Sequence, residues 1–364
     1  MLKKSVCFLF LLLSVWPAHA ALAEDSRIQS DCIQIRPESK MDLSMMHRMI
    51  YESDNSIRYM GHNWAVQTDI RGQIKEEIVL EDTPFESPAI DCVVSLDQAL
   101  MVGVFDSGTG DTYIGVQRDG EEDFQYRKLN GKAYHRQMYA AREGIFIVGY
   151  VVHDERMYLW YALVGPDGYI FEHDERETRM PISALPYACV TDDGFVFYVG
   201  YAREGRLQPR KEIVSIDLAG QERWRVVLPD TVGIKCLAAS DGNIYVVGMR
   251  AAGLNAYDAL EHNRAMILCI GDNGSIQWEV NPDGIESFYT ADARKGICVA
   301  TDSVLDDLTC WWLYTVNQNG TPRDIKKYAL RHALYGIKLQ VIGPDRLIIG
   351  FSAGGQLFMD VLSI

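Results

Sequence analysis

Short apolar runs separated by turn residues fill this chain, and beyond residue 23 none repeats every 3.6 residues over a long span. The unit is clearest in Gly194–Leu228. Phe195–Val199 is apolar at every position, as in a strand buried on both faces, because a half-exposed strand alternates. Gly200 and a polar loop containing Gly205 and Pro209 follow, and Ile213, Val214 and Ile216 mark a second strand. Asp217–Gly220 reads as a hairpin turn, since glycine accepts the positive φ that such turns need. Trp224–Leu228 is a third strand, and Arg225 breaks its apolar run as expected near solvent.

Two features of this unit recur. The turn glycine returns as Gly72, Gly120, Gly168, Gly220, Gly274 and Gly320, at intervals of about 46 to 54 residues. The all-apolar strand begins at Leu100, Ile145, Phe195, Ile244, Ile297 and Leu347, at intervals of about 45 to 53. A further strand precedes each apolar one: Ala89–Leu96, Gln137–Ala141, Tyr187–Thr191, Ile234–Ala239, Ser287–Ala291 and Ile337–Ile342. Four strands per unit at this period predict an all-β fold, a β-propeller. Helices able to cover a parallel sheet are missing, which sets aside an α/β fold.

Residues 1–23 carry Lys3 and Lys4, an apolar stretch from Val6 to Val15, and small residues at Ala18, Ala20, Ala21 and Ala23, the pattern of a signal peptide. The apolar stretch is too short to span a bilayer, which takes about 20 residues. Residues 24–364 are expected to form a single propeller domain, exported to the periplasm or the exterior. Their length suits seven blades, with six or eight as alternatives. The last unit lacks its outer strand, and Ile28–Arg36 is expected to supply it beside Phe358–Leu362, so that the N-terminal strand closes the last blade.

The formal charge is −15, and removal of Lys3 and Lys4 makes it more negative. Such a surface excludes nucleic acid and anionic membranes as partners. Cys32, Cys92, Cys189, Cys236, Cys269, Cys298 and Cys310 remain beyond the leader, an odd number that cannot all pair within one chain. Most sit singly within predicted strands, as small buried hydrophobes. No CxxC occurs, so zinc and dithiol redox chemistry are not signalled.

Trp224 follows Gly220 by four residues, and Trp278 follows Gly274 by four. This turn-and-tryptophan element resembles the repeat of quinoprotein-type (PQQ-like, tryptophan-docking) propellers. Elsewhere the same position holds Glu76, Phe124, Glu172 and Asp324, and the motif's usual Ala and Thr are missing. The resemblance implies that Trp224 and Trp278 dock between blades. It also divides function two ways: dehydrogenases carrying pyrroloquinoline quinone, and cofactor-free binding scaffolds. The adjacent cysteine pair of the dehydrogenases does not occur here, so the resemblance points to the scaffold kind.

Candidate chemistry is sparse. His47, His62, His135, His153, His173, His262 and His332 lack local metal-site spacing. Asp106–Asp111 and the group Asp302, Asp306 and Asp307 offer oxygens, but neither matches an established calcium loop. Glu172, Asp174, Glu175 and Glu177 would serve glycoside cleavage only if two carboxylates faced each other across a pocket. In a propeller the links between second and third strands share a face with the links between units, and long loops there concentrate function. Aromatics near inner-strand starts (Phe85, Tyr134, Tyr139, Tyr187, Phe288, Tyr289 and Tyr335) approach the mouth of the central channel. Tyr suits peptide or sugar contact, with an apolar face and a polar tip. The expected ligand-binding residues are therefore Tyr134, His135, Tyr187, Tyr289, His332 and Tyr335. The expected function is a monomeric, cofactor-free binding scaffold for a protein or peptide. A glycan-binding or glycoside-cleaving propeller is the alternative, and a quinone-dependent dehydrogenase a remote one.

Overall fold

The computed structural model describes residues 33–37, 43, 46, 48–52, 55–80, 85–96, 98–129, 133–173, 181–203, 209–251, 263–283, 285, 288, 290–294, 297–303, 310–329, 335–343, 346–353 and 356–363. The leader, Tyr289, His332 and Asp174–Glu177 lie outside them. Strand β1 (Ile33–Ile35) comes first, then a sheet of β2 (Arg48–Tyr51), β3 (Ser56–Met60), β4 (Trp64–Asp69) and β5 (Ile74–Val79). The next is β6 (Pro88–Leu96), β7 (Ala99–Asp106), β8 (Asp111–Arg118) and β9 (Gln125–Lys128). An eight-stranded sheet holds β10 (Ala133–Ala141), β11 (Gly144–His153), β12 (Arg156–Gly165), β13 (Gly168–His173), β14 (Ile182–Thr191), β15 (Gly194–Tyr201), β16 (Arg210–Asp217) and β17 (Glu222–Leu228). Then come β18 (Val232–Ser240), β19 (Asn243–Arg250), β20 (Arg264–Ile270) and β21 (Ile276–Val280), followed by β22 (Thr290–Arg294), β23 (Ile297–Ser303), β24 (Cys310–Val316) and β25 (Pro322–Ala329). The last sheet is β26 (Tyr335–Gly343), β27 (Arg346–Ala353) and β28 (Gln356–Ser363), with β1 on its outer edge.

The fold is an all-β propeller whose strands form six hydrogen-bonded sheets, not the seven separate blades expected. The correction has one cause. Where β13 leaves the edge of β12, the start of β14 takes its place, and Met157 pairs with Ile182. That single pair fuses the third and fourth four-strand units.

Every pairing is antiparallel, and among the described residues the second strands β3, β7, β11, β15, β19 and β27 are buried on both faces. In β11, Ile145 and Ile147 pack back onto Met101 and Ile114, whereas Phe146 and Val148 pack forward onto Phe195 and Phe197. Phe146 and Phe195 stack with centroids 3.9 Å apart. This two-sided burial is why the second strands read as unbroken apolar runs. The β2–β5 sheet departs from that pattern. Arg58 lies in the middle of β3 and is fully buried, with Nε 2.7 Å from Glu52 Oε1 and Nη1 2.7 Å from Glu76 Oε2. Burial opposes its charge, but the bonds to the two carboxylates outweigh it and raise its pKa.

The outer hairpins at Gly72, Gly220, Gly274 and Gly320 share one turn. Gly220 has a φ of 79°, its N–H donates to Asp217 O, and the Asp217 carboxylate accepts from Ala219 N and Gln221 N. A register shift at Ser215/Ile216 completes a bulged three-residue loop, with the left-handed position filled by glycine. The ends of the chain close as expected: Ile33 pairs with Met359, Gln34 with Phe358 and Ile35 with Leu357. Among the described residues, no helix is long and apolar enough to cross a membrane.

Candidate binding surfaces at the hub, rim and loop face

The inner strands β2, β6, β10, β14, β18, β22 and β26 surround the hub, and successive ones touch at β6/β10, β10/β14, β14/β18, β18/β22, β22/β26 and β26/β2. Among the described residues they form no main-chain ladder with one another, so their inward N–H and C=O groups need other partners. Side chains from the neighbouring unit supply them. Asp91 Oδ2 accepts from Met138 N at 2.8 Å, Tyr139 Oη accepts from Ala188 N at 3.2 Å, and Asp292 Oδ2 accepts from Val341 N. Bulges at Ile90/Cys92, Tyr134/Gln137, Ile234/Cys236 and Tyr335/Lys338 re-aim residues of these strands.

Arg48 spans three units at this hub. Its Nη1 donates to Asp91 O at 3.0 Å and to Met138 O, stands 3.4 Å from Asp91 Oδ1, and its guanidinium lies 4.8 Å from the centre of the Tyr139 ring. Burial works against the Arg48 charge, and Asp91 more than offsets it, so the pKa is raised. Lys338 lies nearby, and burial together with Arg48 lowers its pKa. Cys236 donates to Ala291 O at 3.8 Å, and burial pushes its thiol pKa up, as it does for Cys189. Raised thiol pKa values keep Cys189 and Cys236 protonated, and Arg48 is held by Asp91, chemistry that keeps the hub strands in register.

The rim carries the predicted docking. Trp224 Nε1 donates to Asp272 O and Trp278 Nε1 to Gln318 O, both at 2.6 Å, so each indole reaches the turn of the following unit. A methyl group on Gly320 would lie 2.7 Å from Trp278 Cδ2, and one on Gly274 would lie 3.1 Å from Trp224 Cδ2. Phe171 fills the same place under Gly220, and Ile33 under Gly72. Phe171, not Glu172, is the docked residue because Gly165 pairs directly with Gly168. That link is shorter, which moves the frame by one.

The loop face shows little metal chemistry. Asp106, fully buried, would be opposed by desolvation, but its carboxylate accepts from Glu86 N, Ser87 N, Gly108 N and Thr109 Oγ1, and these bonds lower its pKa. Those donors occupy the oxygens considered above for calcium. No group of three metal-binding side chains occurs among the described residues.

Of the expected ligand-binding residues, Tyr289 and His332 lie outside the described residues, and the others fall on inner strands of three units. Tyr134 and His135 lie in β10, where Tyr134 pairs with Tyr150 at the bulge. Tyr187 is half-buried and stacks on Tyr198 within the cluster joining β15 to β19. Tyr335 opens β26 opposite Ser352. Phe288 is fully buried against Tyr314, and Phe85 packs on Tyr113 and Tyr126, so these two build core. The hub residues Arg48, Asp91, Asp292 and Lys338 escaped sequence reasoning.

No protein-family model matches the chain, and no curated protein matches it. Solved structures do. The β-propeller domain of the Trilobed protease from Pyrococcus furiosus, described as having an open velcro topology, is 13% identical, with a TM-score of 0.55, covering 89% of this chain and 94% of that one. Drosophila Plexin A, in complex with Semaphorin 1b, is 7% identical, with a TM-score of 0.54, covering 88% of this chain and 85% of that one. The Dos1 propeller is 11% identical, with a TM-score of 0.51, covering 88% and 78%. At these identities the likeness establishes the β-propeller fold alone.

Proposed function

We propose that this chain is an exported propeller acting as a binding scaffold for a protein or peptide, through the face formed by the second-to-third-strand hairpins and the links between units. The observation that carries this reading is the β11–β12 hairpin. Each of its strands has ten residues, and its tip, Val152–Arg156, is exposed throughout. Val152 is 44% exposed. The two central residues, Asp154 (φ 48°) and Glu155 (φ 61°), both adopt the left-handed backbone without being glycine. That is the type I′ turn a two-residue hairpin favours, with His153 paired to Arg156, so the turn itself accounts for both residues. What marks the tip is its exposure throughout, carried on two rigid ten-residue strands, which is where propellers and other scaffolds place contact residues.

Export rests on the leader-like residues 1–23. The scaffold kind of the quinoprotein-type repeat is supported by the docked Trp224 and Trp278. Tyr134, His135, Tyr187, Tyr289, His332 and Tyr335 are proposed to line the mouth beside the hairpin. Drosophila Plexin A, which is similar to this chain in fold, is in complex with another protein, Semaphorin 1b.

The test is capture of partners from the native secretome by residues 24–364, compared with the triple variant Val152→Ala, His153→Ala, Arg156→Ala. A partner held by the unchanged chain should be lost by at least about tenfold in the variant, with the urea midpoint unaltered. Equal capture by both chains refutes this face as the binding surface.

A further inference from the structure

The rim docks are not all equally filled. Trp224, Trp278, Phe171 and Ile33 each occupy the groove beneath the next unit's turn glycine. The groove between β9 and the β12–β13 turn differs. There Arg127 takes the ring's place: a methyl group on Gly168 would lie 2.7 Å from its Nη1, and Nη1 donates to Asp167 O at 3.2 Å. The guanidinium thus uses a turn carbonyl, as the indole N–H groups of Trp224 and Trp278 do at theirs. It is narrower than an indole, and a cavity of roughly 220 Å³ remains, lined by Val116, Arg118, Tyr126, Arg127, Val164 and Pro166. That is less than the roughly 300 Å³ at which pockets for drug-sized ligands begin, and it suits one side chain.

We propose that this groove is a second binding site, which takes an aromatic side chain of a peptide with a carboxylate next to it. The aromatic part follows from the chain's own precedent, since two of the equivalent grooves are closed by tryptophan and one by phenylalanine. The carboxylate follows from charge. Arg118 engages two carboxylates, Asp167 at 2.6 Å from its Nη2 and Glu121, which also lines the cavity and accepts from its N–H, whereas Arg127 borders the cavity and has no carboxylate partner among the described residues. A planar guanidinium stacks on an aromatic face and binds a carboxylate through two parallel N–H groups, so one residue recognises both parts. The site lies on the side of the ring opposite the β11–β12 tip, because third-to-fourth-strand turns alternate with second-to-third-strand hairpins. It is therefore independent of the face proposed above.

The probe is acetyl-Trp-Asp-amide, titrated against the whole chain and followed by saturation-transfer NMR. Saturable binding is expected, weaker by at least about tenfold for acetyl-Ala-Asp-amide and by several-fold for acetyl-Trp-Asn-amide. Arg127→Ala should match the loss of the carboxylate, and Val116→Trp, which fills the groove from within, should abolish binding. If Val116→Trp lowers the urea midpoint, Gln125→Trp fills the groove from its exposed edge instead. The triple hairpin-tip variant should bind the probe normally, which separates this site from the loop face. No saturable binding, equal binding of the Ala and Trp probes, or unchanged binding in the groove-filled variants overturns the proposal.

Discussion

Gly120 and Gly320 both lie in third-to-fourth-strand links with a left-handed backbone, at φ 85° and 80°, yet differ in what lies against them. A methyl group on Gly120 would meet nothing within 4 Å, whereas on Gly320 it would lie 2.7, 2.9 and 3.0 Å from Trp278 Cδ2, Cε3 and Cγ. Gly→Ala at either position incurs the left-handed cost, about 1 kcal/mol. At Gly320 the methyl also overlaps an indole that cannot swing away without breaking its 2.6 Å bond to Gln318 O. Overpacking of that kind adds about 1–3 kcal/mol. The expected order is therefore about 1 kcal/mol for Gly120→Ala, about 2 for Gly274→Ala, where the overlap is milder at 3.1 Å, and about 3 for Gly320→Ala. Trp278→Ala alone should cost about 2–3 kcal/mol, from half a buried tryptophan and one hydrogen bond. In the double variant the methyl has room, so the two losses should fall short of additivity by about 1–2 kcal/mol. Urea unfolding followed by far-ultraviolet circular dichroism reads this without relying on tryptophan emission, provided the m-value stays constant. Equal losses at Gly120 and Gly320, or strict additivity with Trp278→Ala, would refute the docking account and leave only backbone strain.

Three further outcomes are expected. Arg58→Ala should cost about 3–5 kcal/mol in chemical unfolding because it strands Glu52 and Glu76, and Arg58→Lys should recover only part of that for want of the forked geometry. Beginning the chain at residue 37 removes β1 and bares the edge of β28, so stability should drop and size-exclusion chromatography should show dimers or larger species. Burial pushes the Cys92 thiol up to about 12 and that of Cys269 up to about 11. Both keep their protons when folded while unfolded thiols lose theirs near pH 8.5, so stability should fall as pH rises from there towards about 11–12, and Cys92→Ala should flatten that decline.

The period was legible because turn glycines and two-sided strands are local features, repeated whenever a unit is built. Closure by the N-terminal strand was legible for a related reason: a last unit short of one strand implies a donor. What escaped was set by exceptions. The run Ser56–Met60 hides a buried second strand because Arg58 interrupts it, and only Glu52 and Glu76, themselves unremarkable in sequence, neutralise that charge. Phe171 evaded the docking frame because the Gly165–Gly168 link is shorter than its counterparts. The fusion of two units rests on one main-chain pair, Met157 with Ile182, which no residue type announces. A further marker was available: Gly103, Gly149, Gly200, Gly248 and Gly350 recur in the second strands at the same period. Two of them make room for the next unit, since a methyl on Gly103 would lie 2.4 Å from Met138 Sδ and one on Gly350 2.5 Å from Met49 Sδ.

Hub and rim solve the same problem with opposite chemistry. At the hub the inner strands leave backbone groups without a ladder, so polar side chains cross from unit to unit, as Arg48, Asp91, Tyr139 and Asp292 do. At the rim apolar side chains fill the grooves beneath Gly72, Gly220, Gly274 and Gly320, and a single N–H fixes each indole. The junction beneath Gly168 is fastened at the hub by Asp91 and Arg48 but closed at the rim only by a guanidinium. It can therefore exchange an internal contact for an external one without loosening the ring, which is why a partner's aromatic ring is expected there and not at the grooves already closed by Trp224 and Trp278.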